Sequence, residues 1–280
     1  MTQYSLSSRG MRLSMNCGLL HRAMPTYNGI RARKCRSPAC WSERLPRSMS
    51  QYQSYSQWKD WPLDFSCSDA EARYFDLEFG SSVAPGCRIV EIGFGNGGFL
   101  DWARRRGAEV YGVEIQPEIL EAATRHGFRA VSSIRDLQRF RNTGFDAVVA
   151  LDVFEHIPPE EVPGVLREIE SLLAAEGTLT LRIPNGLSPF GRFNQHGDAT
   201  HTTVVTPAKM RQWAIGTSLQ VHDVRNEARV PEGNSAVRRI AKRIQFGLRD
   251  CANRIIANIY GLPISCLDPN MIIVLRKSES

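Results

Sequence analysis

Residues 89–98 read IVEIGFGNGG, an apolar β-rich run that passes through a glycine-rich turn into a segment of helical period. A strand ending in Gly93-Phe94-Gly95-Asn96-Gly97 can turn sharply and let a ligand approach its backbone, because glycine has no Cβ to clash. The following helix offers unsatisfied amides and its positive dipole end to the same space. Twenty-one residues past Gly93, at the end of the next β-rich run, stands Glu114. A carboxylate there accepts hydrogen bonds from both hydroxyls of a ribose. Turn and acid together predict a ribose-bearing cofactor at the carboxyl ends of parallel strands.

The glycines alone leave the cofactor open. Gly93, Gly95 and Gly98 also satisfy G-x-G-x-x-G, so a nicotinamide-dependent oxidoreductase is an alternative. Glu91, just before the turn, tips the balance. It can receive an ammonium group such as that of a methionine moiety, where a nicotinamide enzyme more often has an apolar residue. A run of polar residues in LDVFEHI (151–157) faces the same crevice from a later strand end.

Around this unit strands and helices alternate. Ser68-Asp69-Ala70-Glu71 forms a capping box for a helix to about Phe79. Strands are predicted over Arg88–Ile92, Glu109–Ile115, Phe128–Val131, Phe145–Leu151 and Thr178–Ile183, with helices over Phe99–Arg106, Pro117–His126 and Pro158–Ala175. The expected fold class is α/β, a Rossmann-like, doubly wound and mostly parallel sheet with helices on both faces. Residues 184–205 then read as a long loop, followed by a helix from Pro207, a strand near Leu219–Val224, a long helix over Ala236–Tyr260 and a last strand at Met271–Leu275.

Charge divides the chain. The whole carries 35 Lys and Arg against 29 Asp and Glu, yet residues 1–48 alone hold nine basic residues and one acid. That leaves +8 at the front and −2 over residues 49–280, which removes the case for a nucleic-acid partner. Residues 1–48 are rich in Ser and Arg without apolar period, the composition of a disordered arm. Three readings fit it: a transit peptide, a basic arm for an anionic partner, or an over-long start with the working chain beginning at Met49. Residues 49–67 read as a linker and 68–280 as one catalytic domain. Seven scattered Cys suggest reduced thiols, and no run reaches the ~18–20 apolar residues of a membrane span. A cytoplasmic protein is expected, or a mitochondrial one if the arm is a transit peptide.

IVEIGFGNGGFL, VYGVEI, FDAVVALDVFEHIPPEEV and LLAAEGTLTLRIPN together resemble the motifs of class I S-adenosylmethionine-dependent methyltransferases. HGDATHTTVVTPAKM is similar to a loop segment of methyltransferases from bacterial surface-polysaccharide loci, relatives of the ubiquinone-biosynthesis O-methyltransferases. The resemblance implies S-adenosylmethionine as cofactor. Glu91, Gly93, Gly95 and Gly97 would shape its methionine side, Glu114 would hold the ribose, Ile115 would pack on adenine and Leu151 would line the methyl-donor channel. These families commonly place an acid after the third strand to meet the adenine amino group. Here Ser132, Ser133 and Ile134 stand there, and Ser133 or a nearby backbone group is the substitute, with Asp136 in reach by sequence. The implied acceptor is a small-molecule or glycan hydroxyl, lipid- or nucleotide-linked in one version.

A hydroxyl acceptor needs a base as attack proceeds, and His suits that task near neutral pH. His156 and His201 fall where the fold puts the acceptor, with Glu155 or Asp198 to orient either one and His196 as a third candidate. The plainer reading makes each a capping or packed polar residue. No metal site is expected, since no dense ligand cluster is present. In 236–260, Val237, Ile240, Ile244, Leu248, Ala252, Ile255 and Ile259 recur at helical spacing beside six basic residues and Asp250 alone, a local +5. The favoured reading packs that stripe on the sheet with its charges solvated. The other lays it on an anionic membrane surface or against substrate phosphates.

Overall fold

A computed structural model of the chain describes residues 62–233, 235–262 and 266–278. The arm expected over 1–48, and residues 49–61 of the linker, lie outside the described residues. Seven strands form one sheet: β1 (Arg88–Ile92), β2 (Glu109–Val113), β3 (Arg129–Val131), β4 (Phe145–Leu151), β5 (Leu173–Pro184), β6 (Leu219–Asn226) and β7 (Asn270–Lys277). Their spatial order is β3-β2-β1-β4-β5-β7-β6. All neighbours from β3 to β5 are parallel, and β7 enters antiparallel between β5 and β6. Order reverses between β1 and β4, and in open α/β sheets that switch point opens the binding crevice.

The strands are apolar on both faces because both are covered. Ile89 and Val149 face a core with Phe75 and Phe79 of α1 (Asp69–Phe79), Leu100 of α2 (Gly98–Arg105) and Ile119 of α3 (Pro117–Arg125). Val90 and Val148, one residue away, face a second core with Leu166 of α4 (Val162–Leu172). The α1 capping box forms as its sequence requires, with Ser68 and Glu71 exchanging side-chain and backbone hydrogen bonds.

Two boundaries differ from the sequence expectation. The helix expected over Pro158–Ala175 begins only at Val162 and ends at Leu172, where Leu173 turns directly into β5 and pairs with Phe145. Lys277 of β7 reaches across to donate to the carbonyls of Glu170 and Leu173, closing the helix where the sequence pattern would have continued it. The loop expected over 184–205 contains a short helix, α5 (Arg192–His196), before α6 (Pro207–Trp213).

Residues 62–67 are built into the domain. Phe65 is buried beneath Gly97, whose φ is +75° and where a Cβ would overlap the Phe65 ring. Gly97 therefore admits the aromatic layer that supports the turn.

The long helix α7 (Ala236–Tyr260) overturns the favoured packing. Its buried residues are Asn253 and Ala257, while Val237, Ile240, Ile244, Leu248, Ile255 and Ile259 are 52–76% exposed. The docked face is polar because Asp268, 2% exposed, draws it in. That carboxylate accepts from Arg229 Nε at 2.6 Å, Arg249 Nε at 2.9 Å and Asn253 Nδ2 at 3.2 Å.

Candidate active site

A cavity of about 620 Å³ opens at the carboxyl ends of β1, β2 and β4. Its floor is the turn after β1. Gly93 donates its amide to the Val113 carbonyl at 2.7 Å and holds φ at +68°. A Cβ there would come within 2.6 Å of Val153 Cγ2, so the turn and the chain after β4 meet only because residue 93 is glycine. At the start of α2 the N-cap residue Gly97 has no side chain to offer, and the first helical amide, Gly98 N–H, donates to Asn96 Oδ1 at 3.3 Å.

Two buried carboxyls flank this floor. Glu91 lines the cavity, and its buried Oε2 has no hydrogen-bond partner among the described residues. Burial, with the Glu114 charge adding, lifts the Glu91 carboxyl well above its ordinary value, and Arg182 opposes the shift. A cationic ammonium placed beside Oε2 would satisfy it and reverse that shift. Glu114 accepts from the amides of Gln116 at 3.0 Å and Gly95 at 3.4 Å, which fixes its carboxylate at the strand end. Burial raises it too, against those amides. Ile115 lines the rim with 62% of its surface exposed, free to lie against a flat ring.

Glu91, Gly93, Gly95, Glu114, Ile115, Leu151 and His156 all line the one cavity, whereas Gly97, Ser133 and His201 do not. Ser133 donates instead to Asp136 at 2.8 Å. His196 is exposed on α5.

Residues 198–203 are stitched to the turn after β4. The amides of Thr202 and Thr203 both donate to the Glu155 carbonyl at 2.9 Å, and the Thr203 hydroxyl donates to Ile157 O at 2.6 Å. This brings Thr200 Oγ1 to 2.9 Å from His156 Nδ1, while the same hydroxyl donates to Asp198 Oδ1 at 2.6 Å. Burial pushes the Asp198 carboxyl upward, but the Thr200 hydrogen bonds outweigh it and hold the carboxyl below its ordinary range. A hydroxyl has one proton, and here the carboxylate receives it. The Thr200 oxygen thereby meets the His156 ring at Nδ1.

His201 packs edge-on to His156, ring centroids 4.6 Å apart, with Nδ1 3.2 Å from the Gln195 carbonyl. Glu155 is 1% exposed and neither carboxyl oxygen has a hydrogen-bond partner among the described residues. Burial, with Asp152 adding, raises it well above its ordinary value and favours its neutral form. Ligand atoms of Glu155, His156 and His201 lie within 4.8 Å of one another, so the trio could converge on a cation.

The sequence alone assigned no role to the opposite wall. Asp152, in left-handed conformation at φ +58°, forms a two-pronged ion pair with Arg182 of β5. Arg182 in turn lies 5.5 Å from the Tyr74 ring centre. All three line the cavity. Asp152 stood in the LDVFEHI run and Arg182 in LTLRIPN, but nothing in either string says that they pair across adjacent strands.

A family profile described as a methyltransferase domain matches residues 90–181. The chain is 27% identical over 186 residues to the ubiquinone biosynthesis O-methyltransferase of Xanthomonas campestris pv. campestris (strain B100), covering 60% of this chain and 76% of the relative. The Xanthomonas axonopodis pv. citri (strain 306) protein of the same name is also 27% identical, over 54% of this chain and 70% of its own length. In fold the chain is similar to a SAM-dependent methyltransferase from Archaeoglobus fulgidus, with TM-score 0.52 and 20% identity over 75% of this chain and 95% of that one. Family profile and relatives point to S-adenosylmethionine rather than a nicotinamide as the cofactor. The chain is a class I S-adenosylmethionine-dependent methyltransferase.

Proposed function

We propose that the enzyme methylates a hydroxyl oxygen of a small-molecule or glycan acceptor, with His156 as general base. One observation carries the reading: the Asp198–Thr200–His156 chain of hydrogen bonds, which orients through Nδ1 a histidine that lines the cofactor cavity. S-adenosylmethionine, when bound, supplies a methyl group already activated on its sulfonium. The residues that would hold it are Glu91 at the ammonium, Glu114 at the ribose, and Gly93 and Gly95 beneath, with Leu151 and Ile115 supplying apolar contact.

What remains for the protein is alignment and one proton. As the acceptor oxygen attacks, its proton passes to His156 Nε2, and the imidazolium so formed is stabilised through Thr200 by the Asp198 carboxylate. His201 supports the ring of His156 by edge contact, and Glu155 contributes a buried neutral carboxyl rather than a competing base. The relatives' name, ubiquinone biosynthesis O-methyltransferase, supports oxygen as the methylated atom.

Transfer of a radiolabelled methyl group to a panel of phenols, sugars and nucleotide-linked or lipid-linked sugars tests this. The wild type is expected to label a hydroxyl acceptor, and His156→Ala to lose roughly 10²–10⁴ of kcat while still binding S-adenosylhomocysteine. Labelling at nitrogen or carbon, or full activity in the variant, would sink the reading. Retained cofactor binding with no labelled acceptor would mark a binding module instead.

A further inference from the structure

The helix α7 has its polarity reversed with respect to the domain that carries it. At 3.6 residues per turn, the docked residues Phe246, Asp250, Asn253 and Ala257 lie about half a turn away from Ile244, Leu248 and Ile255. The polar side faces the protein, through the Asp268 cluster and the Arg229–Asp250 ion pair at 2.9 Å. The apolar side faces outward over the 25-residue length of the helix. A stripe of this length on the outside of a domain marks an interaction surface.

Charge decides the occupant. Arg238 lies on one flank of the stripe, about 100° from its centre, and Arg243 and Arg254 lie about as far on the other. All three are exposed, as are Arg239 and Lys242, and the helix's single acid, Asp250, is engaged by Arg229. A second copy packed antiparallel on the same stripe would set Arg238, Arg239, Lys242 and Arg243 beside Arg249 and Arg254 of that copy, with no free acid between them. Residues 1–48 carry +8 and are equally ill-matched to a basic helix. An apolar face edged on both sides by long cationic side chains fits the surface of an anionic bilayer, where apolar residues enter the acyl boundary and Arg and Lys reach the head groups.

Topology sets where such a surface would lie. β6 ends level with the start of β7, Asn226 opposite Met271, and β7 starts level with the end of β5, Asn270 opposite Pro184. Both roots of α7 therefore stand at the carboxyl end of the sheet, the end where the cavity opens. We propose that α7 lies in the plane of an anionic lipid surface and holds the carboxyl end of the sheet at that surface. This does not depend on which atom the enzyme methylates.

Sedimentation of the full chain with phosphatidylcholine vesicles, with and without about 30% phosphatidylglycerol, tests it. The wild type is expected to pellet with the anionic vesicles and not with the neutral ones. Ile244→Asp/Leu248→Asp is expected to weaken this about tenfold or more while S-adenosylhomocysteine still raises its melting temperature. Arg238→Gln/Arg243→Gln, which spares the apolar face, is expected to lose roughly twentyfold and decides the matter if the first variant does not fold. Failure of the wild type to pellet with anionic vesicles overturns the proposal. So does pelleting that both variants leave intact, which would put attachment elsewhere in the chain. A lipid-free dimer that Ile244→Asp/Leu248→Asp converts to monomer also overturns it, since a second copy would then occupy the stripe.

Discussion

His156 Nδ1 and Thr200 Oγ1 lie 2.9 Å apart across 44 residues of chain, and the Thr200 proton is committed to Asp198 at 2.6 Å. The contact orients, through a hydroxyl, a histidine that lines the cofactor cavity. On the proposed function Thr200 is a positioning residue, acting on the acceptor only through His156.

Removing that hydroxyl separates positioning from packing. Thr200→Val, similar in volume, is expected to lower kcat by about tenfold to a hundredfold with S-adenosylhomocysteine affinity unchanged. Thr200→Ser, which restores the hydroxyl, is expected to recover most of the loss. If valine and serine behave alike in pH–rate profiles, the relay plays no part in proton transfer.

Glu91 predicts a proton-linked cofactor site. Burial raises its carboxyl well above the ordinary value of 4.5, so the folded enzyme without cofactor holds a proton that the unfolded chain releases. Stability of the cofactor-free enzyme should therefore fall as pH rises from that ordinary value toward the raised one. Placing an ammonium beside Oε2 favours the carboxylate, so cofactor binding should release a proton and tighten as pH rises through the same window. Titration calorimetry with S-adenosylhomocysteine in two buffers of different ionisation enthalpy measures that release. Glu91→Gln should abolish it and weaken binding by about 1.5–3 kcal/mol. Equal proton release in wild type and variant would assign it to another group.

Asp268 is the anchor of α7. Replacing it with Ala leaves Arg229, which is 13% exposed, with Asp250 as its one remaining carboxylate among the described residues, removes the acceptor of Asn253 Nδ2, and is expected to cost about 3 kcal/mol of stability. Hydrogen exchange should show the loss first in the amides of α7 and last in β1 and β4. Uniform loss over the domain would mean that the helix is not an independently docked element.

The fold was legible wherever the signal is local. Strand–helix alternation, the glycine turn and the Glu114 spacing each depend on residues within one βαβ unit, and the carboxyl-end site follows from them. Relations between distant segments were not legible. Arg182 and Asp152 pair because Leu151 stands opposite Arg182 in the β4–β5 register, which neither string encodes alone. Periodicity grouped the apolar residues of α7 correctly on one face, yet it could not say which face docks. That was decided by Asp268, outside the helix, through three hydrogen-bonded partners. Ser133 was assigned to the cavity by its place after β3, and its hydroxyl instead serves Asp136 in the following turn.

The central claim is that the turn after β1 and the acid after β2 form one S-adenosylmethionine site. Calorimetric titration of S-adenosylhomocysteine into the wild type and Glu114→Ala tests it most directly. One molecule should bind per chain, Glu114→Ala should weaken it about tenfold to a hundredfold, and NAD should not bind. Absence of binding to the wild type, or undiminished affinity in Glu114→Ala, would contradict the account.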